Sequence, residues 1–524
     1  MRIYVAGDND NLRHLSQKFK ENLQELIFIN PHITNPDQNI CGTIVYMPLH
    51  APQSGCQLPV PACSPFEIAF MEQWVPLTPL SEMAYFEYDV LIIGTGAGGG
   101  AALWRLCEQL GGTGIRVGVI ERGGLLLPTA ALNVPTLSNW LDMMKYYLSP
   151  NVSVPIGKAL PEYPDARLVY ALGGRTLFWA ATALRIPPFE FINWPITYKE
   201  IEPYYNIAEQ VMSVSRYTSP VNELLLRRLW QGGYPESGLL PEAVERNGSS
   251  VLFSSLNFIA EALRLGSFDL AVNARAVQIM TDEQKVTGVR VMTPEKTYYY
   301  LKAKTVIVAG GTFETPRLLL NSRIPGGAIG HYLINHSYLK SQGTLSPQDT
   351  AEGGIALSIP ETENRPYQFK MTGERTYLEY DVTGSIVPRY ENHVYLDPGT
   401  TDEYGVPGIQ VNFSYSETDA AIIREMVMAV RNVASVMRAD LSATPDRPEI
   451  CIWPPGADNH DGGTCRMGNN PFTSATDRYG RIHAISGLYV ADNSLIPSFG
   501  AVSPTLTTVA LAIRTADHIA QLLK

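Results

Sequence analysis

The sequence contains no run of about 18 consecutive apolar residues, so no membrane-spanning helix is predicted. Its opening residues, MRIYVAGDNDN, lack the apolar core of a signal peptide, and we expect a cytoplasmic protein, with association to a cell wall as an alternative. Acidic residues outnumber basic ones, 51 to 40, for a net charge of −11. This balance argues against nucleic acid or an anionic membrane as a partner.

Cysteine is scarce, with six residues in 524 and no C-x-x-C motif. Cys41, Cys56 and Cys63 could form one disulfide near the N-terminus, but an odd group of three argues against the disulfide framework of a secreted protein. Cys465 is expected to be a small buried residue. No cluster of metal-ligating residues stands out, so no metal is predicted.

Residues 86–124 combine a strand, a glycine turn, a helix, a second strand and an acid. Val90 to Ile93 form an apolar run typical of a buried strand, and GTGAGG at 94–99 has the G-x-G-x-x-G spacing. Such a turn lets the backbone and a helix N-terminus approach a pyrophosphate. Glu121, after the strand 115–120, can accept hydrogen bonds from both hydroxyls of an unphosphorylated ribose. This pattern predicts a dinucleotide but leaves NAD and FAD open.

The far end of the chain favours FAD. Residues 459–468 read NHDGGTCRMG, and residues 487–514 contain a strand, an acid, a glycine and proline loop and an apolar helix. If these segments complete the nucleotide site, the ligand is long and reaches from the first strand to the last helix.

At these motifs the chain resembles the glucose-methanol-choline (GMC) family of flavoprotein oxidoreductases, in its gluconate-dehydrogenase-like and pyranose-oxidase-like branch. The likeness covers about residues 86–524 and includes LGGRTLFWAA at 172–181, INWPITYKEIEPYYNIAE at 192–209, KVTGVRV at 285–291 and AKTVIVAGGTFETPRLLLNS at 303–322. The resemblance implies an α/β fold. It would comprise a Rossmann-like FAD-binding domain and an antiparallel-sheet substrate domain.

The resemblance also implies which residues contact FAD. They are Gly94, Gly96, Gly98, Gly99, Glu121, Arg122, Gly173, Gly174, Thr176, Phe178, Trp179, Val277, Ala309, Gly310, Asp492, Pro504 and Thr505. Some pyranose-oxidase-like members carry a histidine that bonds covalently to the flavin, and Phe178 stands at that position here. Non-covalent FAD is therefore expected. A helix is predicted from Thr315, after the Gly310-Gly311 turn.

Oxidation of an alcohol needs a base for the hydroxyl proton while a hydride leaves the same carbon, and imidazole suits this role at neutral pH. By the resemblance His460 is this base, acting on a small alcohol or sugar, and the other eight histidines are expected to be structural or exposed. The family's second histidine or asparagine is replaced by Ser503. As an alternative, this departure indicates a flavoenzyme that tailors a secondary metabolite by desaturation or rearrangement.

Residues 1–48 read as a strand, two helices and a strand, and this βααβ order resembles a LysM module. LysM modules bind N-acetylglucosamine polymers such as peptidoglycan or chitin, although a packing role for the module is equally open. A non-enzymatic alternative makes this module the active part of a cell-wall structural protein. Residues 49–85 are a predicted Pro-rich linker.

At least two domains are expected from the length of the chain. The FAD-binding domain is assigned to 86–182, 251–322 and 451–524, and the substrate domain to 183–250 and 323–450. Ser416 and Asp419 are predicted to cap a helix. Candidate pocket residues are Tyr380, Arg389, Tyr395, Asn412 and Tyr415, but strand alternation alone does not fix the face that they occupy.

Overall fold

A computed structural model describes residues 1–49, 72–156, 163–248, 250–445 and 447–524. The chain divides into two compact units, Met1–Phe70 and Met71–Lys524. Most of the predicted linker 49–85 lies outside the described residues, as do Cys56 and Cys63, whereas Cys41 is a free thiol. No helix among the described residues is long and apolar enough to cross a membrane.

The N-terminal unit has the βααβ order expected from its sequence: β1 (Arg2–Val5), α1 (Leu12–Phe19), α2 (Leu23–Ile29) and β2 (Ile44–Met47), with β1 antiparallel to β2. Asn11 and Asn22 cap the two helices, because each side chain accepts a hydrogen bond from a free backbone N–H of the first turn. A small core that includes Leu12, Leu15 and Leu26 holds the unit together.

The second unit contains the remaining helices and strands. Its α-helices are α3 (Leu80–Met83), α4 (Ala97–Leu110), α5 (Trp140–Tyr147), α6 (Tyr198–Val211), α7 (Pro220–Gln231), α8 (Ser255–Leu265), α9 (Gly311–Asn321), α10 (Glu417–Met437) and α11 (Thr505–Leu523). Its strands are β3 (Glu87–Ile93), β4 (Val117–Ile120), β5 (Ser153–Pro155), β6 (Arg167–Val169), β7 (Val214–Arg216), β8 (Gly238–Leu239), β9 (Pro241–Arg246), β10 (Ser250–Leu252), β11 (Asp269–Ala271), β12 (Arg275–Asp282), β13 (Lys285–Met292), β14 (Tyr298–Val308), β15 (Ser337–Leu345), β16 (Gly354–Ile359), β17 (Tyr367–Glu374), β18 (Tyr377–Gly384), β19 (His393–Thr401), β20 (Pro407–Asn412), β21 (Ala439–Leu441), β22 (Ile450–Trp453) and β23 (Leu488–Val490).

A mixed sheet in the order β11-β4-β3-β14-β13-β12 forms the first layer, and β23 also pairs with β14. Strands β11, β4, β3, β14 and β23 run parallel, while β12 and β13 form an antiparallel meander with β14. Strand β3 is apolar and buried because helices cover both faces of a parallel sheet. The carboxyl ends of its parallel strands therefore bring Gly94, Glu121, Ala309 and Ala491 to one edge.

Helix α9 begins at Gly311, so the predicted start at Thr315 is wrong by one turn. The reason is a contact across the sheet edge that is distant in sequence. Asp492 accepts hydrogen bonds from the Gly311 N–H at 2.9 Å and from the Thr315 hydroxyl at 2.5 Å, so it pairs the first backbone N–H of the helix and fixes the start of α9.

A second sheet, in the order β21-β15-β18-β17-β16-β8 with β22 also paired to β15, is antiparallel throughout. One face packs on α7 and α10 to form a separate hydrophobic core. Ser416 and Asp419 form the predicted cap of α10 as a reciprocal capping box. This sheet lies within the segments assigned to the substrate domain, except that β22 crosses into the residues assigned to the FAD-binding domain.

Candidate active site

One elongated cavity runs from the carboxyl edge of the mixed sheet to the antiparallel sheet. The cavity has a volume of about 550 Å³, which is within the usual range for ligand pockets. The first turns of α4, α9 and α11 all contribute lining residues. Because a helix N-terminus carries free N–H groups and a partial positive charge, these three ends suit a ligand with more than one anionic or electron-rich group.

The glycine turn after β3 serves both packing and ligand access. Gly94 has a φ of +97° and lies against Ala309, and a Cβ on Gly98 would come within 1.8 Å of the Ala491 carbonyl oxygen. A Cβ on Gly99 would meet the Gly94 carbonyl at 2.0 Å, so Gly99 packs the helix on the turn and does not line the cavity. Gly96 differs, since a Cβ there meets no protein atom and would project into open space.

A Gly96→Ala variant is therefore expected to fold normally and to bind FAD about tenfold more weakly, because its methyl group occupies only space left for the cofactor. Retention of FAD on gel filtration and the dissociation constant from flavin fluorescence measure the effect. Gly327→Ala is the matched control, because that glycine is exposed, has open space around it and lies outside the cavity. Equal FAD affinity in the two variants would contradict this role for Gly96.

Glu121 lies at the carboxyl end of β4 and is buried. Its carboxylate accepts hydrogen bonds from the Thr95 backbone and hydroxyl and from the Gly123 N–H. Burial raises the pKa of Glu121 more than these bonds lower it. A carboxylate has about four acceptor positions and three are used here, so one remains for a ribose hydroxyl.

Arg122 belongs to a cluster of opposite charges beside this acid. The cluster comprises Arg122, Arg275, Arg317, Glu314, Asp402 and Glu403. Arg122 contacts Glu314 at 3.2 Å and Glu403 at 3.0 Å, and its guanidinium lies 3.6 Å from the centre of the Tyr170 ring. Because three cations face three anions, the charge of Arg122 is already compensated within this cluster.

Most of the predicted FAD-contacting residues line the cavity. They are Gly94, Gly96, Gly98, Glu121, Arg122, Gly174, Thr176, Phe178, Trp179, Ala309, Gly310, Asp492 and Thr505. Gly99, Gly173, Val277 and Pro504 do not line it. Gly173 lies behind the residues that line the cavity and holds them in place: its N–H donates to the Thr95 hydroxyl, and its carbonyl accepts from the Thr176 hydroxyl. Pro504 precedes the first residue of α11 as its N-cap.

Val277 is displaced from the cavity by an irregularity in β12. The pairing of β12 with β13 shifts register between Ala276 and Gln278, and Val277 packs instead with Met292 and Val406. Its carbonyl accepts a hydrogen bond from Asn321. Arg275 and Ala276 line the cavity in its place, because such a shift changes the face that a residue occupies.

The loop 172–181 lines the middle of the cavity with Phe178 and Trp179. Phe178 packs between Tyr146 and Tyr147, and the Trp179 indole N–H donates to the Phe253 carbonyl at 2.7 Å. Among the lining residues that the structure describes, His460 is the one histidine and no cysteine is present.

His460 lies in the loop that follows β22 and shares a carboxylate with a second histidine. Its Nδ1 is 3.3 Å from Oδ2 of Asp458, and Nδ1 of His336 is 3.0 Å from the same oxygen. The two Nδ1 atoms lie 3.2 Å apart. His336 and Asp458 are buried, whereas the His460 side chain is 24% exposed and lines the cavity. We call His336, Asp458 and His460 the imidazole triad.

The charges within the imidazole triad follow from burial and contact. Burial raises the pKa of Asp458, but the two imidazoles outweigh it and hold the pKa well below its usual range. Burial lowers the pKa of His336 more than Asp458 raises it, so this imidazole is neutral at pH 7. The three ligand-type atoms lie close enough together to hold a metal ion, but their separations also match hydrogen bonds to one ionised carboxylate.

Asn335 and Asp461 fix the loop that carries His460. Asn335 donates to Asp458 at 2.7 Å and accepts from the Gly456 N–H, while the buried Asp461 pairs with Arg175 at 3.0 Å. Sequence reasoning missed Asn335, His336 and Asp458. The adjacent polar pair Asn335-His336, directly after the apolar Leu333-Ile334, was the available signal.

Ser503 lies in the same cavity as His460 and is 7% exposed. Nearby Asn493, another residue that the sequence did not single out, also lines the cavity. Asn493 donates to the Asp461 carbonyl and accepts from Thr508, and thereby connects the first turn of α11 to the His460 loop.

Glu361 supports the loop that carries Ser503. It is 4% exposed, and its Oε2 accepts the Ala501 N–H at 2.8 Å. Gly500 has a φ of +55°, and any Cβ there would come within 2.3 Å of Glu361 Oε1. Burial, and then the neighbouring Glu190, raise the pKa of Glu361 to about 8.

Glu361 makes the stability of the protein depend on pH. Between the unfolded pKa, about 4.3, and the folded pKa the native state holds a proton that the unfolded state releases, so this contribution to stability falls as pH rises. Its contribution is complete below the unfolded pKa and is lost as pH passes about 8. From pH 6 to pH 9 the melting temperature of Glu361→Gln is expected to fall less than that of the parent protein. Scanning calorimetry measures the melting temperatures, and Glu363→Gln, at an exposed position, is the control. An equal pH dependence of the melting temperature in all three proteins would contradict this role of Glu361.

Two family models described as GMC oxidoreductase, for N-terminal and C-terminal regions, match residues 118–338 and 388–512, together more than half of the chain. A 2-methyl-1,2-propanediol dehydrogenase of Mycolicibacterium austroafricanum is 25% identical over 83% of this chain and 95% of its own length. A C-glycoside 3-oxidase of Arthrobacter globiformis is 27% identical over 68% of this chain and 75% of its own length.

Among solved structures, the formate oxidase of Aspergillus oryzae RIB40 has a TM-score of 0.65 at 14% identity, covering 83% of this chain and 98% of that one. This likeness concerns the fold alone. The matched regions include the LGGRTLFWAA loop, the imidazole triad and the first turn of α11, and the chain belongs to the GMC oxidoreductase family.

Proposed function

We propose that His460 is the base of an FAD-dependent oxidation of a CH–OH group, positioned by Asp458 and His336, with FAD held non-covalently. The single observation that carries this assignment is the convergence of His460 and the glycine turn on one cavity. The family and its named oxidase and dehydrogenase relatives support an FAD-dependent oxidoreductase acting on CH–OH donors.

The residues fit FAD at three places. The open space before Gly96 and the first turn of α4 suit the pyrophosphate, and Glu121 suits the adenosine ribose. Phe178, Trp179 and the N–H groups from Thr505 onward would contact the isoalloxazine. When bound, FAD supplies the hydride acceptor, flavin N5.

The imidazole triad sets up His460 to receive a proton. When Nδ1–H of His460 donates to the ionised Asp458, the lone pair of its Nε2 is free, and Nε2 makes no hydrogen bond to a described residue. Nε2 can therefore take the proton of a substrate hydroxyl, and the Asp458 carboxylate stabilises the imidazolium that results. Ser503 offers one hydrogen bond to the substrate oxygen.

An anaerobic screen tests the proposal. The purified protein is expected to be yellow and to lose its flavin absorbance with at least one polyol, aldose or glycoside. Yellow protein that no CH–OH compound bleaches would contradict the proposed oxidation and favour the alternative of metabolite desaturation or rearrangement. Colourless protein that cannot be loaded with FAD would contradict both.

Non-covalent FAD makes a separate prediction. Acid precipitation is expected to release all of the flavin, because Phe178 stands at the position where some family members carry the histidine that bonds to the flavin, and no cysteine is among the described lining residues. Absorbance of the supernatant and mass spectrometry of the intact chain measure free and bound flavin. Flavin that remains with the precipitate, with a matching mass increase of the chain, would contradict the prediction.

For residues 1–48 we propose a LysM-like module that binds polymers of N-acetylglucosamine, supported by its βααβ order and its two asparagine-capped helices. The full chain is expected to sediment with insoluble peptidoglycan or chitin, and a chain without residues 1–48 is expected to stay in solution. If the two chains sediment to the same extent, the module does not bind these polymers, and a packing role is favoured instead.

A further inference from the structure

The antiparallel sheet turns a polar face to the cavity. On β17, Gln368, Lys370 and Thr372 line the cavity, while Phe369 and Met371 are buried in the core on the other side. The same alternation places Glu379, Asp381 and Thr383 of β18 and Tyr338 and Lys340 of β15 on the cavity side. With Trp453 of β22 these side chains form what we call the polar wall.

Charges within the polar wall compensate one another. Lys340 contacts Glu379 at 3.0 Å and Asp381 at 3.1 Å, and Lys370 lies 3.7 Å from Asp381. Burial raises the pKa of Asp381, but Lys370 and Lys340 outweigh it, so the carboxylate keeps its charge. Two cations and two anions sum to zero. A ligand that brought its own charge would upset this balance in a largely buried setting.

Two polar side chains of the cavity, one of them in the polar wall, have a buried atom without a hydrogen-bond partner. Gln368 is 4% exposed, and its Oε1 is buried without a hydrogen-bond partner. Thr182, elsewhere in the same cavity, also has a buried hydroxyl without a partner. An unpaired buried polar atom is costly, and an incoming hydroxyl group removes that cost. Trp453 contacts Tyr338 and Lys340 at the other side of the wall and adds an apolar ring surface that suits the C–H face of a sugar.

We propose that the polar wall binds the non-reacting hydroxyls of a neutral, multiply hydroxylated substrate, such as a glycoside, whose reacting carbon lies toward His460. This inference rests on the proposed function and adds the class of substrate. It disfavours sugars that carry an ammonium or carboxylate group, and simple alcohols, which cannot reach the wall and His460 together.

The first test compares kcat/KM for neutral methyl hexopyranosides, their amino-deoxy and uronate counterparts and 1-propanol. We expect the best neutral glycoside to exceed its charged counterparts about tenfold and 1-propanol about a hundredfold. In Gln368→Leu, kcat/KM for the glycoside is expected to fall about tenfold, mainly through KM, with little change for 1-propanol. Gln342→Leu is the matched control, because this glutamine lies on β15 outside the cavity.

Either of two results would overturn the inference: a charged sugar or 1-propanol used as well as the neutral glycoside, or equal effects of the two leucine variants. Calorimetric titration of the oxidised holoenzyme with the same glycosides separates this inference from the proposed function. Binding that Gln368→Leu weakens and Gln342→Leu does not supports the wall even if no alcohol bleaches the flavin. Absence of binding to the parent protein would overturn the inference even if some alcohol does.

Discussion

His460→Ala is expected to slow the anaerobic reduction of the flavin by substrate about 10³-fold while FAD stays bound. A positioned general base is worth about 10² to 10⁴ in rate, and among the described residues of the cavity no other imidazole could replace it. The histidine side chain is partly exposed and packs no core, so the fold should tolerate its removal. Stopped-flow absorbance of the flavin measures the reduction rate directly, apart from later reoxidation.

Two observations make this result specific. The visible spectrum of bound FAD and the melting temperature should match those of the parent protein, and His32→Ala, an exposed histidine of the N-terminal unit, should reduce its flavin at the parent rate. An unchanged reduction rate in His460→Ala would remove this residue from the mechanism. Loss of FAD from the variant would instead show that the imidazole holds the cofactor site together.

That the residues at the edge of the mixed sheet line one cavity could be predicted, because their signals are local in the sequence. The glycine turn, the acid after β4 and the segment after β23 each lie at the end of a buried strand, and parallel strands bring such ends to one edge. Val277 shows the limit of this reasoning. The register shift in β12 moved the lining position to Arg275 and Ala276, and no sequence period marks such a shift.

The imidazole triad could not be predicted in the same way. His336 and His460 are 124 residues apart, and they meet only because β22 pairs with β15 and places the loop after β22 beside the start of β15. The alternation of polar and apolar residues in YQFKMTG and YLEYDVTG was visible, but it does not show which face packs on α7 and α10 and which face lines the cavity. Tyr380, a candidate for the pocket, therefore lies in the core, and Arg389, Tyr395, Asn412 and Tyr415 also lie outside the cavity.

Asp458→Asn is expected to lower the rate of flavin reduction about 10²- to 10³-fold with little change in KM. The ionised carboxylate accepts from Nδ1 of His460 and so keeps the proton off Nε2, whereas an amide can donate to Nδ1 and favour the opposite tautomer. Loss of the carboxylate in the comparable role of a serine protease triad costs about 10⁴-fold for this reason. A smaller effect is expected here, because neutral His336 still contacts Nδ1 of His460.

The measurements for Asp458→Asn must separate positioning from a general loss of structure, because Asp458 is buried and accepts a bond from Asn335. Substrate affinity, FAD content and melting temperature should stay close to the parent values, and Asp458→Glu should recover part of the rate by restoring a carboxylate. Asp142→Asn, on the exposed face of α5, provides the matched control.

A parent-like rate in Asp458→Asn, or equal losses of rate in the asparagine and glutamate variants, would show that the carboxylate does not set the tautomer of His460. A rate that EDTA abolishes and Zn²⁺ restores would assign the triad to a metal ion instead.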